Sequence, residues 1–280
     1  MLTHILLLLS TITSVLSCID HTNYFAPQHN HSNHLSIRAE EGDTKDWSYP
    51  SFNWPEIRVE YALCHNGTQQ SPIGLSGSQG HSKKTTPVFD RYKKAKGELY
   101  NWDHGVAFNF YHPEGDFSGL PSMEIQGQGR ATERVFLTGW HMHTPSEHMV
   151  DGVRTHAEMH FVHVNTNGTA RAVIGVLIQA GTFDSPFFAQ LPKPLIYFNN
   201  DSTVQNVEID PYLAIREVKD YAKFWTYKGS YTTPPCTQGL QWFVSRDILY
   251  TSVRQMQEIL GVGTYSAREI QQIWLHEVNA

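Results

Sequence analysis

Two short runs of alternating sequence constrain this chain more than any other feature. In Trp140-His141-Met142-His143 apolar and imidazole side chains alternate. Residues two apart in extended backbone share a face, so His141 and His143 project together. The pattern stops at Pro145, which cannot donate to an interior ladder. The second run is His156 to His163. In it His156, Glu158, His160 and Val162 share one face, and Ala157, Met159, Phe161 and His163 share the other. If the two runs are neighbouring strands, His160 joins His141 and His143 around one ion. Three neutral imidazoles leave a fourth tetrahedral position for water, which is the arrangement of a catalytic zinc site rather than a structural one. Glu158 is placed to support a ligand from behind. Spacing alone leaves two other readings open. One is a pair of satisfied polar residues on a strand. The other is a cupin-type site with Glu147 as a metal ligand, which lacks the glycine needed where Val135 stands and the later His-Asn pair. The zincin pattern His-Glu-x-x-His is missing too, because His276-Glu277 is followed only by Val278-Asn279-Ala280.

The surrounding sequence reads as mainly β. Val106–Tyr111, Val135–Thr138, Ala157–Val164 and Ala172–Ile178 are short β-branched or aromatic runs bounded by Gly, Pro and Asn. Two helices are expected. One starts at Asp210 with Pro211 in its first position. The other starts at Ser252-Val-Arg-Gln255, a capping box, and is closed by Gly261. The basic group from Lys83 to Lys96 reads as a solvated loop face. A formal charge of −6 argues against a nucleic-acid partner.

Met1 to Ser17 carry no charged side chain and hold an apolar run, Ile5–Leu9, before the small-residue end Val15-Leu16-Ser17. This predicts a secretory signal peptide over 1–17, too short and diluted for a permanent anchor. Residues 18–45, with His21, His29, His31 and His34, read as a flexible leader, and 46–280 as one domain. Cys18 lies at the cleavage point. Cys64 and Cys236 remain as an even pair in an oxidising compartment and are expected to be bridged. Four sequons, at Asn30, Asn66, Asn167 and Asn200, fit the same secreted, extracellular address.

The order and spacing of several motifs resemble the α-class carbonic anhydrases, secreted type. They are Gln70-Ser71-Pro72-Ile73, the His-x-His strand, Ser146-Glu147-His148, the run His156–His163, Tyr231-Thr-Thr-Pro-Pro235 and Arg268-Glu-Ile-Gln271. The likeness spans roughly residues 46–275, and the Cys64 and Cys236 positions resemble the paired cysteines of secreted members. It implies one domain with a large, mostly antiparallel twisted sheet and short peripheral helices. It implies a Zn2+ cofactor on His141, His143 and His160, with CO2 and bicarbonate as substrate and product, interconverted by attack of zinc-bound hydroxide on CO2. By the same resemblance Thr232 and Glu147 form the catalytic hydrogen-bond pair, and Glu158 orients His160. Thr233 steadies the anion, and Val162, Val173, Tyr231 and Trp242 line the apolar wall.

Three positions depart from the family pattern. Val106 stands where many members carry a proton-shuttling His, which leaves His104 as the candidate for proton transfer. Gly139 stands where a Gln supports the first ligand, and Tyr231 replaces a Leu. They predict a working but slower enzyme, helped by imidazole-type buffers. A catalytically inert binding scaffold is the competing function, with Tyr231 as its best support.

Overall fold

The computed structural model describes residues 46–80, 82, 86–126, 131–196 and 205–280. The expected signal peptide and leader, the sequons at Asn30 and Asn200, and Lys83 and Lys84 of the basic group lie outside the described residues.

The alternating and β-branched runs form strands, several longer than the runs that announce them, although His156 and Tyr111 fall just outside theirs. In chain order they are β1 Gly74–Leu75, β2 Ala95–Asn101, β3 Val106–Phe110, β4 Ser122–Gln126, β5 Thr132–His143 and β6 Met149–Val150. They continue with β7 Ala157–Val164, β8 Ala170–Gly181, β9 Gln205–Ile209, β10 Phe224–Ser230, β11 Gln238–Ser245 and β12 Leu249–Ser252. Ten of them form one sheet ordered β10-β11-β8-β7-β5-β3-β2-β9, with β12 beside β8 and β4 beside β5. Its pairings are antiparallel except where β11 and β12 meet β8. The helices are short and peripheral: α1 Trp54–Ile57, α2 Leu63–Asn66, α3 Pro186–Ala189, α4 Tyr212–Glu217 and α5 Val253–Val262. The fold is thus mainly β, a single domain around one large, mostly antiparallel sheet.

Both faces of the sheet are covered, which is why β7 is buried along its whole length. One face carries the main apolar cluster, with Phe108, Trp140, Met142, Met159, Phe161 and Ile174 among its members. A smaller cluster includes Val173, Leu177, Tyr227, Tyr231 and Trp242. Leu137 and Trp140 both belong to the main cluster although they are three residues apart, which unbroken alternation would forbid. The break is a bulge: β7 pairs Leu137 with His163 and Gly139 with Val162, leaving Thr138 as the extra residue. The Thr138 hydroxyl donates to the Val162 carbonyl at 3.2 Å. At the same point β5 changes its other neighbour from β4 to β3. Beyond the bulge Trp140 and Met142 point into the main core, so His141 and His143 face the opposite side.

Gly139 is required by the closeness of β3. A Cβ there would lie 2.4 Å from the Phe108 carbonyl oxygen and 2.8 Å from Asn109 Oδ1.

The helix boundaries are corrected in two places. Asp210 Oδ1 accepts from Tyr212 N at 3.0 Å as an N-cap would, but Pro211 precedes the first helical residue rather than occupying it. The Ser252 capping box forms as expected, yet α5 runs through Gly261 to Val262, with Gly263 as its C-cap. Buried Met256, Ile259 and Val262 hold that last turn against the core, so packing carries the helix past the glycine. Arg91, Lys93, Lys94 and Lys96 are exposed as expected, although Lys96 belongs to strand β2 rather than a loop.

The two glycines should therefore respond in opposite directions to alanine. Gly139→Ala is expected to lower unfolding stability by about 1–3 kcal/mol, the usual cost of overpacking. Gly261→Ala meets nothing within 4 Å and should raise stability by about 0.5–1 kcal/mol, as in other helix interiors. Urea denaturation of both variants beside the parent checks the pair.

Candidate metal centre

The antiparallel register sets His141 directly opposite His160 and His143 opposite Glu158. The next strand sets Gly175 opposite His160 and Val173 opposite Val162. One potential ligand atom from each of His141, His143 and His160 lies within 4.8 Å of the others, and all three residues are buried. The juxtaposition expected from the two alternating runs is therefore present.

Hydrogen bonds decide which nitrogen faces the centre. His143 Nδ1 donates to the Ser266 carbonyl at 2.6 Å, so its Nε2 carries a lone pair. That atom is buried and has no hydrogen-bond partner among the described residues. His160 uses its other nitrogen: Nε2 donates to Glu158 Oε1 at 2.9 Å, which leaves Nδ1 as the acceptor. Glu147 Oε2 faces both, 3.6 Å from His143 Nε2 and 3.9 Å from His160 Nδ1, and it too is buried without a donor. Acceptors thus converge on acceptors in a buried cluster. Such a cluster is stable only with a cation or an extra proton among its members. Three imidazoles of this kind suit zinc.

Burial governs the ionisation of these groups. It pushes His143 down to about 4, so its imidazole is neutral and able to ligate across the physiological range. His160 is lowered for the same reason, partly offset by Glu158. Burial raises Glu147 to about 7, against the pull of His160, the Thr232 hydroxyl and the Arg268 N–H. That N–H donates to Glu147 Oε1 at 2.9 Å. Burial alone would raise Glu158 as well, but His148 and His160 outweigh it and hold its carboxyl well below the usual carboxylate range.

The remaining predicted residues fall in two groups. Thr232 and Thr233 are buried, the Thr232 hydroxyl against Glu147, and Val162, Val173, Tyr231 and Trp242 are likewise buried. Trp242 stands against the His160 ring at 4.8 Å. His104 Nδ1 is 2.8 Å from Thr264 Oγ1, and the Trp102 ring contacts both His104 and His141. Val106 is in the main core, on the opposite face from the ligands. Gly139 leaves no space for a side chain at that position.

Sequence reasoning gave no role to Ser266, His148 or Trp102. Ser266 acts through its carbonyl, which every residue possesses, so nothing in the sequence marks it. His148 could have been found, since it belongs to the Ser-Glu-His motif. Its Nδ1 is 2.6 Å from Glu158 Oε1 and its Nε2 is 2.8 Å from the Tyr227 hydroxyl. Trp102 packs on His141 and His143 at 5.4 and 5.3 Å.

The expected Cys64–Cys236 bridge is formed across a separation of 172 residues. Buried Arg268 ties it to the centre, donating to the carbonyls of Cys64 and Ser71 while its own N–H holds Glu147.

Comparison with known proteins gives a consistent result. Residues 50–274 match the family model described as eukaryotic-type carbonic anhydrase. The chain is 33% identical to alpha carbonic anhydrase 2 of Arabidopsis thaliana over 253 residues, covering 87% of this chain and 92% of the relative. It is 29% identical to dioscorin dioA3 of Dioscorea japonica, covering 91% and 84%. Among solved structures, the α-carbonic anhydrase of Thermovibrio ammonificans, in complex with the inhibitor sulfanilamide, superposes with a TM-score of 0.65 at 26% identity. That match covers 80% of this chain and 92% of the other.

Opening the bridge should loosen the centre as well as the fold. The Cys64→Ser/Cys236→Ser double variant is expected to lose about 2–5 kcal/mol of stability, the usual range for a native disulfide. Guanidinium unfolding with and without reductant measures it, and reductant should have no effect on the double variant.

Proposed function

Because this chain belongs to the eukaryotic-type carbonic anhydrase family, an enzyme family that hydrates carbon dioxide, we propose that it interconverts CO2 and bicarbonate at a zinc ion held by His141, His143 and His160. The observation that carries this reading is the convergence of unprotonated ring nitrogens and the Glu147 carboxylate with no donor between them. When bound, zinc supplies a Lewis acid that makes water nucleophilic near neutral pH.

The chain's own residues do the rest. A carboxylate can only accept, so Glu147 compels the Thr232 hydroxyl to donate toward it. The Thr232 oxygen is then left to accept from the reacting water and fix its orientation. A dication beside Glu147 favours its ionised form, offsetting the burial that raises it. Val162, Val173 and Trp242 form the apolar wall that admits CO2, and Tyr231 adds bulk and a hydroxyl to it. Thr233 steadies the bicarbonate. Glu158 fixes the His160 ring through Nε2, and His148 holds Glu158 in turn. Proton export is the weak part of the cycle. Val106 is in the core, and His104 is engaged by Thr264 and the Trp102 ring, so buffer is the expected carrier.

We assign the protein to the extracellular side, with residues 1–17 as signal peptide, 18–45 as leader and 46–280 as the enzyme domain. Among the described residues no helix is long and apolar enough to cross a membrane, and the Cys64–Cys236 bridge fits an oxidising compartment. Asn66 and Asn167 are exposed and open to glycosylation, with Asn30 and Asn200 as further sequons.

Stopped-flow CO2 hydration tests the proposal. Activity should vanish on zinc chelation, return with zinc, and rise with imidazole buffer concentration. Hydration that ignores buffer would refute the proton-transfer part. A protein that holds one zinc per chain without hydrating CO2 would favour the inert scaffold, with Tyr231 filling the pocket. Thr232→Val and Glu147→Gln should each keep zinc and lose about 100-fold in kcat/KM, the scale of a displaced proton-transfer partner.

A further inference from the structure

We propose that Trp102 is the positioning residue for the His141 and His143 imidazoles, an inference that rests on the zinc reading above. The torsion that turns a histidine ring is broad and roughly two-fold, so a ligand must be locked by something outside itself. His143 is locked by the Ser266 carbonyl and His160 by Glu158. Two residues before His141, a side chain at Gly139 would enter the Phe108 carbonyl. The Trp102 indole meets the His141 ring from another side. Its centroid is 5.4 Å from His141 and 5.3 Å from His143, with interplanar angles of 69° and 70°. These are edge-to-face contacts in the range where aromatic pairs attract.

The indole is itself fixed. Trp102 is 3% exposed, and its Nε1 donates at 3.1 Å to the carbonyl of Met142, the residue between the two ligands. Its backbone is fixed on either side. Asn101 Nδ2 donates to the carbonyls of Ile196 and Val262, both at 2.9 Å, and Trp102 N donates to Gly105 O at 3.1 Å. The indole plane is therefore registered to the very strand that carries the ligands, and it restricts both rings at once. Such support acts on zinc retention more than on the chemical step, since it pre-orients donors in the metal-free protein.

Zinc dissociation into excess chelator, measured on Trp102→Phe, Trp102→Leu and the parent, tests this. The cobalt-substituted proteins give a spectrum that reports ligand geometry without reference to activity. Trp102→Leu is expected to release zinc about tenfold faster, at the low end of the losses seen for outer partners of metal ligands, with an altered cobalt spectrum. Trp102→Phe keeps an aromatic ring and should stay within about threefold of the parent, with its spectrum restored. Trp225→Leu, a buried tryptophan whose Nε1 bonds Ser76 O, controls for general loosening and should leave both readouts unchanged. Equal zinc release and equal spectra for Trp102→Leu and the parent would overturn the proposal, as would a Trp225→Leu effect of the same size. A parent protein that binds no zinc would instead overturn the metal reading itself.

Discussion

The side-chain alternation of β5 governs what the centre can be. A strand offers each face every second residue, and the main core claims Leu137 before Thr138 and Trp140 and Met142 after it. Only the extra residue at Thr138 reconciles those demands. It also decides that His141 and His143 leave the core face and meet His160 across the ladder. The bulge coincides with the exchange of β4 for β3 along the edge of β5. The close approach of β3 there forces glycine at 139. One inserted residue therefore sets the ligand face, the partner strand and the loss of a supporting side chain together.

The second organising constraint is the supply of donors. Each buried imidazole can donate through one nitrogen and accept through the other. Ser266 and Glu158 take the donating nitrogens of His143 and His160. The accepting nitrogens are left turned toward one another and toward Glu147. Electrostatics and sheet geometry thus lead to the same point in the molecule, and a cation is the natural occupant. The aromatic residues close the arrangement, with Trp242 on the His160 side and Trp102 on the His141 and His143 side.

Much of this was legible in the sequence, for a definable reason. Alternation in β7 runs unbroken from Ala157 to His163, so parity placed His160, Glu158 and Val162 on one face correctly. His-x-His lies wholly beyond the bulge, so the same rule worked there. The bulge was not legible, because it depends on which strand changes partner at Thr138. Nor was the extent of α5, where the burial of Val262 outweighs the preference of Gly261 to end a helix. The surroundings of His104 were not legible either: Thr264 and the Trp102 ring contact it from positions no motif marks. Carbonyl partners such as Ser266 leave no mark in any sequence.

The bridge between Cys64 and Cys236 encloses β5, β7 and β8 within one covalent ring. A single backbone cut anywhere inside that ring would yield two polypeptides still joined as one molecule, with every ligand strand tethered to the other. In an environment rich in proteases, such a nicked protein could re-close its sheet as an intramolecular event, at the high local concentration that a shared disulfide imposes.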